Sequence, residues 1–204
     1  FFSGGFVGVD VFFVISGYLI TTVLIEEIEN KTFSIISFYE RRARRILPAL
    51  VLVVLITIPF AWAILIPRDL KDFFQSVYSV STFSSNILFW IESDYFDTVS
   101  ELKPLLHTWS LAIEEQFYLF FPIFLFFTWR FSKDFVFWMI VVFAIISFFL
   151  SDYASRNYPD ANFYLAPTRV WELFAGSIAA FILQKSEVKK SNKLSLLGLV
   201  TIIF

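Results

Sequence analysis

Long apolar runs, separated by short polar segments, dominate the pattern of this chain. A helix needs about 20 apolar residues to cross the hydrocarbon core of a bilayer. The runs that approach this length are Phe6–Ile25, Ile46–Ile66, Trp109–Thr128, Phe135–Leu150 and Val170–Leu183, which extends back to Ala166, and Leu194–Phe204 is the first half of another. The pattern therefore predicts an all-α, polytopic membrane protein with five to seven spanning helices.

Residues 73–91 have the length of a span and carry no charge, but they are too polar to face lipid. Their sequence, FFQSVYSVSTFSSNILFWI, contains five serines together with Gln75, Thr82 and Asn86. Apolar and polar side chains mixed in this way are typical of an amphipathic helix. We expect this helix to lie at the membrane interface or to line a cavity rather than to cross.

Composition and charge support a membrane protein and suggest its orientation. Hydrophobic residues make up 58% of the chain and charged residues only 17%, whereas an ordinary soluble domain has about 25% charged residues. Most of the 16 Lys and Arg residues fall in connections that lie on one side if 73–91 does not cross. The positive-inside rule then makes 26–45 cytoplasmic and places 67–105 and 151–165 outside, as in a multi-pass protein of the inner or plasma membrane. No feature indicates nucleic-acid binding, and one His with no Cys argues against a metal site.

One predicted span opens with PLLHTWSLAIEEQFY, which holds the only histidine and two adjacent glutamates. At 100° per residue, His107, Glu114 and Tyr118 share one stripe of a helix, and Glu115 points about 80° away from His107. Ionisable residues in a span are costly unless they face a partner or a cavity. These residues either handle protons at a site near the outer leaflet or pair with an interior arginine such as Arg169.

Four arginines precede another predicted span in FYERRARRILPAL. Arg41 with Arg44, and Arg42 with Arg45, form two Arg-x-x-Arg frames, each placing two guanidiniums on one helix side. Guanidinium forks match phosphate oxygens, so either frame could hold a phosphorylated ligand. Juxtamembrane arginines also set topology and contact lipid headgroups, and spacing does not separate these interpretations.

Three further features lie in or near predicted spans. Asp10 is a carboxylate about one turn inside the first span, and its role is equally well explained by structure or by catalysis. Arg169 and Glu172 are three residues apart and can pair on one helix. The pair Ser16-Gly17 and the small residues around Gly176 are suited to close helix packing.

Four segments together resemble the acyltransferase family 3 membrane proteins, in particular the bacterial O-antigen and peptidoglycan O-acetyltransferases. The segments are GGFVGVDVFFVISGYLIT, FYxRRxRRILPAL, LKPLLHTWSLAIEEQFY and FYLAPTRVWELFAGSIAA, in this order. The resemblance implies transfer of an acyl group, usually acetyl, from cytoplasmic acetyl-CoA to a hydroxyl of a carbohydrate at the outer face. It implies no permanently bound cofactor, and it assigns CoA binding to the cluster Arg41, Arg42, Arg44 and Arg45.

The resemblance also implies that residues 1–204 are part of one larger membrane domain. The family's catalytic Arg and His lie on a first helix upstream of these segments, so His107 is not their equivalent, and the fragment alone is not expected to be active. Within the chain, the catalytic candidates are Glu114, Glu115, His107 and Asp10. The alternative function is a proton-coupled transporter or flippase of an envelope precursor, in which the same carboxylates relay protons.

Overall fold

The computed structural model describes residues 7–95 and 103–185 together with Gly198, and these residues are almost entirely helical. The described part contains no strand and forms eight numbered helices: α1 (Val7–Glu29), α2 (Ile35–Ile64), α3 (Pro67–Ser81), α4 (Ser85–Tyr95), α5 (Thr108–Thr128), α6 (Lys133–Asn157), α7 (Pro159–Tyr164) and α8 (Ala166–Lys185).

The predicted class, a helical membrane protein, is confirmed. Within the described ranges, α1, α2, α5 and α6 are long and apolar enough to cross a membrane. The fifth predicted span corresponds to α8, which has 20 residues but carries charges near its start. The run predicted over 194–204 lies outside the described residues apart from Gly198.

Helix α2 begins at Ile35, well before the predicted span at Ile46. Ser34 caps it, since its hydroxyl accepts a hydrogen bond from the backbone N–H of Ser37 at 3.5 Å. The prediction counted only uncharged residues, whereas Arg and Glu are good helix formers that continue the helix outward. As a result, the four arginines lie inside α2 and have fixed directions around it.

Helices α1 and α8 pack face to face because both present glycines at the contact. A Cβ atom added to Gly17 would lie 2.0 Å from the carbonyl oxygen of Leu173, and one added to Gly176 would lie 2.0 Å from that of Val14. Thr21 on α1 also donates a hydrogen bond to the Ser177 hydroxyl at 2.8 Å. The expectation of small-residue packing is confirmed, and the two helices form one tightly joined pair.

Residues 73–91 do not form the single helix that their sequence predicts. Helix α3 ends at Ser81, Phe83 adopts a left-handed conformation with φ of 51°, and α4 starts at Ser85. The N–H groups of Phe83 and Ser84 donate to the carbonyls of Val80 and Ser79 at 3.1 and 2.8 Å. This is the Schellman arrangement that ends helices, with Phe where Gly is usual.

Helix α5 lies at the centre of the hydrophobic core. Its buried residues Ile113 and Leu125 pack in one cluster with Phe13 and Ile20 of α1 and Leu173 of α8. Most large apolar residues of α2, in contrast, are exposed. Side chains on different faces of α5 therefore reach different neighbours, and this separates its two glutamates.

Candidate active site

Glu114 lies in the seam between α5 and α1. Its side chain is 4% exposed. The Tyr118 hydroxyl, one turn further along α5, donates a hydrogen bond to Glu114 Oε1 at 3.4 Å. The same hydroxyl is hydrogen-bonded to Ser16 of α1. Glu114 and Tyr118 thus share a helix face, as the sequence predicts, and α1 closes that face off from solvent.

Glu115 points to the neighbouring face of α5 and lines a cavity of about 270 Å³, which we call the arginine cavity. Its walls come from α2, from the turn between α3 and α4, and from α5. They consist of Tyr39, Arg42, Ala43, Ile46, Leu47, Thr82, Phe83, Glu115, Gln116, Tyr118 and Leu119. Glu115 Oε1 is buried and has no hydrogen-bond partner among the residues that the structure describes. A buried oxygen without a partner calls for an explanation, and a bound water, ion or ligand is one.

Arg42 reaches into the arginine cavity from α2. Its Cζ atom lies 4.9 Å from the ring centroid of Tyr118 and 5.8 Å from that of Phe38. Both distances are within the range of a cation–π contact. In the part of the chain that the structure describes, Arg42 forms no ion pair, so these rings hold the guanidinium without neutralising it.

The structure distinguishes the two Arg-x-x-Arg frames. Arg41 and Arg44 point away from the arginine cavity, and each is neutralised by a carboxylate at 2.6 Å, Glu27 and Glu40 respectively. Arg45, like Arg42, has no ion-pair partner among the described residues. The 42/45 frame is therefore the one that remains available to an anionic ligand.

The arginine cavity lies deep along α5. At about 1.5 Å per residue, Glu115 is roughly 10 Å from the first residue of the helix and roughly 20 Å from the last. Ser16, which contacts Tyr118, lies near the middle of α1. The polar groups therefore meet well inside two helices long enough to span a membrane.

His107 is not brought to the glutamates. It precedes α5 as an exposed residue, and its side chain makes no capping hydrogen bond. Two helical turns, about 10 Å of rise, separate it from Glu114. Ser110, which lies between them, donates to the His107 carbonyl at 3.2 Å rather than linking the two side chains. His107 and Glu114 therefore lie on one side of the helix direction, as predicted, but their side chains do not contact each other.

Asp10 belongs to a second, separate cluster at the start of α1 and α8. Arg169 donates a hydrogen bond to Asp10 Oδ1 at 2.7 Å, and its other terminal nitrogen lies 3.1 Å from Glu172 Oε1. The predicted Arg169–Glu172 pair is confirmed. The alternative pairing of Glu114 with Arg169 is wrong, because Arg169 is occupied by these two carboxylates.

Sequence analysis did not single out two residues of the site. Gln116 donates hydrogen bonds to the carbonyl of Phe83 at 3.0 Å and to Asn86 Oδ1 at 2.9 Å, so it joins α5 to the turn between α3 and α4. A glutamine in an apolar span was a signal for such a contact. The placement of Phe83 had no signal, because a left-handed turn is normally marked by glycine.

Together these features define a helical membrane protein in which Arg42 and the half-buried Glu115 line one deep cavity, with the buried Glu114 next to Glu115 on α5. A family model described as an acyltransferase domain matches residues 1–204. The chain belongs to this family: it is an acyltransferase domain built on membrane-spanning helices.

Relatives of this chain include enzymes that are named for O-acetyl transfer. It is 36% identical over 203 residues to O-acetyltransferase OatA of Staphylococcus aureus, covering 92% of this chain and 32% of the relative. It is 33% identical over 186 residues to peptidoglycan O-acetyltransferase OatA of Listeria monocytogenes, covering 88% and 30%. An uncharacterized protein of Haemophilus influenzae is 35% identical over 178 residues, covering 84% and 73%.

The chain thus spans about a third of the length of the two named O-acetyltransferases. No solved structure matches it.

Proposed function

We propose that this chain is the core of a membrane O-acyltransferase that uses cytoplasmic acyl-CoA, with acetyl as the acyl group. The acceptor is a hydroxyl of a cell-envelope carbohydrate at the outer face of the inner or plasma membrane. The family and the names of the relatives support the acyl transfer and the carbohydrate. The observation that carries the donor site is that Arg42 and Arg45 have no ion-pair partner in the described ranges, and that Arg42 lines the cavity that also holds Glu115.

Arg42 and Arg45 supply the donor site in this proposal. CoA carries a 3′-phosphate and a pyrophosphate, and guanidinium groups bind such oxygens through charge-assisted, often bidentate, hydrogen bonds. Arg41 and Arg44 are less suited, since each already contacts a carboxylate at 2.6 Å. A donor anchored by the 42/45 frame extends its thioester into the arginine cavity toward Glu115.

Glu114 and Glu115 handle the proton of the transfer. The acceptor oxygen forms a bond to the acyl carbon, the carbon–sulfur bond breaks, and the proton lost by the hydroxyl ends on the CoA thiol. A carboxylate within reach can position or carry that proton. Glu115 has a buried oxygen that is left without a hydrogen-bond partner by the described residues, and the neighbouring Glu114 accepts a hydrogen bond from the Tyr118 hydroxyl.

The test is the O-acetyl content of surface polysaccharide in cells that lack the intact parent protein and in cells that express it. We expect acetylation to appear with the wild type and to fall sharply with Glu114→Gln and with Glu115→Gln. Glu40→Gln is the matched control, because Glu40 is exposed and pairs with Arg44 on the same helix. The amount of each protein in the membrane is measured alongside.

The possible results separate the parts of the proposal. Wild-type acetylation by Glu114→Gln and Glu115→Gln would show that the assigned roles are wrong. No acetylation by the wild-type protein, when it is present in the membrane, would refute the carbohydrate O-acetyltransferase itself and favour a transporter of an envelope precursor.

A further inference from the structure

Phe83 occupies a backbone position that does not suit it. It has φ of 51° at the residue that follows the C-terminus of α3, where the Schellman arrangement favours glycine. A residue with a Cβ atom costs roughly 1–2 kcal/mol more than glycine in a left-handed conformation. Such an outlier suggests that the side chain serves a purpose that offsets its cost.

Core packing does not account for the Phe83 side chain. Two hydrophobic clusters are found among the described residues, and Phe83 belongs to neither. It is only half-buried, and it lines the arginine cavity together with Thr82. An aromatic residue at a disfavoured backbone position therefore forms part of a cavity wall.

The turn that carries Phe83 is held firmly in place. Gln116 of α5 donates to the Phe83 carbonyl at 3.0 Å and to Asn86 Oδ1 at 2.9 Å. Asn86 in turn donates to the Tyr164 carbonyl at 3.1 Å, and the Ser85 hydroxyl donates to the Thr108 carbonyl at 3.0 Å. Four hydrogen bonds to other elements fix this turn, so its side chains form a rigid wall.

The arginine cavity is small. Its volume of about 270 Å³ is slightly below the roughly 300–1,000 Å³ of sites that hold drug-sized ligands. A thioester with a short acyl group could occupy this volume, and a longer acyl chain would approach its walls, one of which is Phe83.

We propose that Phe83 determines acyl-chain length in this enzyme by closing the arginine cavity against groups longer than acetyl. This inference rests on the proposed use of acyl-CoA, and it adds a residue that selects the donor. The left-handed conformation of Phe83 orients its side chain, and the hydrogen bonds of Gln116 fix the turn. The Phe83 ring then fills the space that further methylene groups of the acyl chain would occupy.

The test compares kcat/KM for acetyl-CoA and butyryl-CoA in the intact protein with wild-type Phe83 and with Phe83→Gly. Glycine removes the ring but suits the left-handed turn, so the variant is expected to fold and to unfold at an equal or higher temperature. One extra methylene is typically discriminated by roughly 10–200-fold in a fitted pocket. We therefore expect the butyryl-to-acetyl ratio to rise at least about tenfold.

Phe74→Ala is the matched control, because Phe74 lies on α3 outside the arginine cavity and should leave the ratio unchanged. An unchanged ratio in Phe83→Gly, with acetyl-CoA still used, would overturn the inference and leave the proposed function standing. A lower unfolding temperature with an unchanged ratio would assign Phe83 a structural role instead. Failure of the wild type to use any acyl-CoA would overturn both proposals.

Discussion

Replacing one arginine of each frame tests whether the direction of the side chain, rather than local positive charge, determines donor binding. Arg42→Ala removes a guanidinium that lies 4.9 Å from the Tyr118 ring and forms no ion pair among the described residues. Arg41→Ala removes its chain neighbour, which contacts Glu27 at 2.6 Å and whose side chain is 52% exposed. The two variants lose the same charge at adjacent positions.

The expected effects differ in size. Hydrogen bonds to charged groups contribute about 1.5–3 kcal/mol, so loss of the Arg42 contacts to phosphate should raise the KM for acetyl-CoA about 10–150-fold. Arg41 does not line the arginine cavity and its charge is already met by Glu27, so Arg41→Ala should leave that KM nearly unchanged. Arg42→Lys keeps the charge but loses the planar guanidinium, so its KM for acetyl-CoA should lie between those of Arg41→Ala and Arg42→Ala.

The assay follows release of the CoA thiol by the intact protein in lipid nanodiscs, with acetyl-CoA and its 3′-dephospho analogue as donors. If the 3′-phosphate is the partner of Arg42, the analogue should be a poor substrate for the wild type, and Arg42→Ala should no longer distinguish the two donors. Protease accessibility verifies that each variant keeps its orientation in the membrane. An equal rise of KM in Arg41→Ala and Arg42→Ala would refute the assignment of the 42/45 frame.

Two further predictions concern the α1–α8 pair. Gly176→Ala places a Cβ atom 2.0 Å from a backbone oxygen of Val14, so the helices must separate, and we expect a loss of about 1–3 kcal/mol in unfolding free energy. Thermal unfolding in detergent measures this loss, with Gly8→Ala as the control because no atom lies within 4 Å of its added Cβ. An unfolding free energy of Gly176→Ala equal to that of the wild type would contradict the close packing of α1 and α8. Asp10→Asn weakens a pair with a largely buried Arg169 and should cost about 1.5–3 kcal/mol. Asp152→Asn, in an exposed pair, should cost less than about 1 kcal/mol in the same measurement, and equal losses would argue against a special role for Asp10.

The helices were predictable from sequence because long apolar runs dictate them, but their ends and breaks were less so. The predicted run Trp109–Thr128 matches α5, which begins one residue earlier. The start of α2 was missed because charged residues continue that helix beyond its apolar part. The break at Phe83 was missed because three-dimensional contacts from Gln116, rather than a local glycine, favour the turn.

The sequence predicted which face of α5 each glutamate occupies, but not the position of His107 along the helix or the partners of the arginines. Helical periodicity correctly separated the faces of Glu114 and Glu115 and joined Glu114 to Tyr118. It could not show that His107 lies exposed at the start of α5, because residues on one stripe can still be two turns apart. Nor could it choose between the arginine frames, since that choice depends on the position of Glu27 in another helix.

The distribution of paired and unpaired charges separates a structural cluster from a functional one. Ionisable groups within a membrane protein are costly, and ion pairing reduces the cost. At the start of α1 and α8, the positive charge of Arg169 is met by Asp10 and Glu172 at ion-pair distance. Around the arginine cavity, Arg42 and Glu115 form no ion pair among the described residues, although both line the same space. The half-buried charges of Arg42 and Glu115 lack the ion-pair partners that the Arg169 cluster has among the described residues. A charged ligand would supply such partners, so we expect substrate to bind in the arginine cavity.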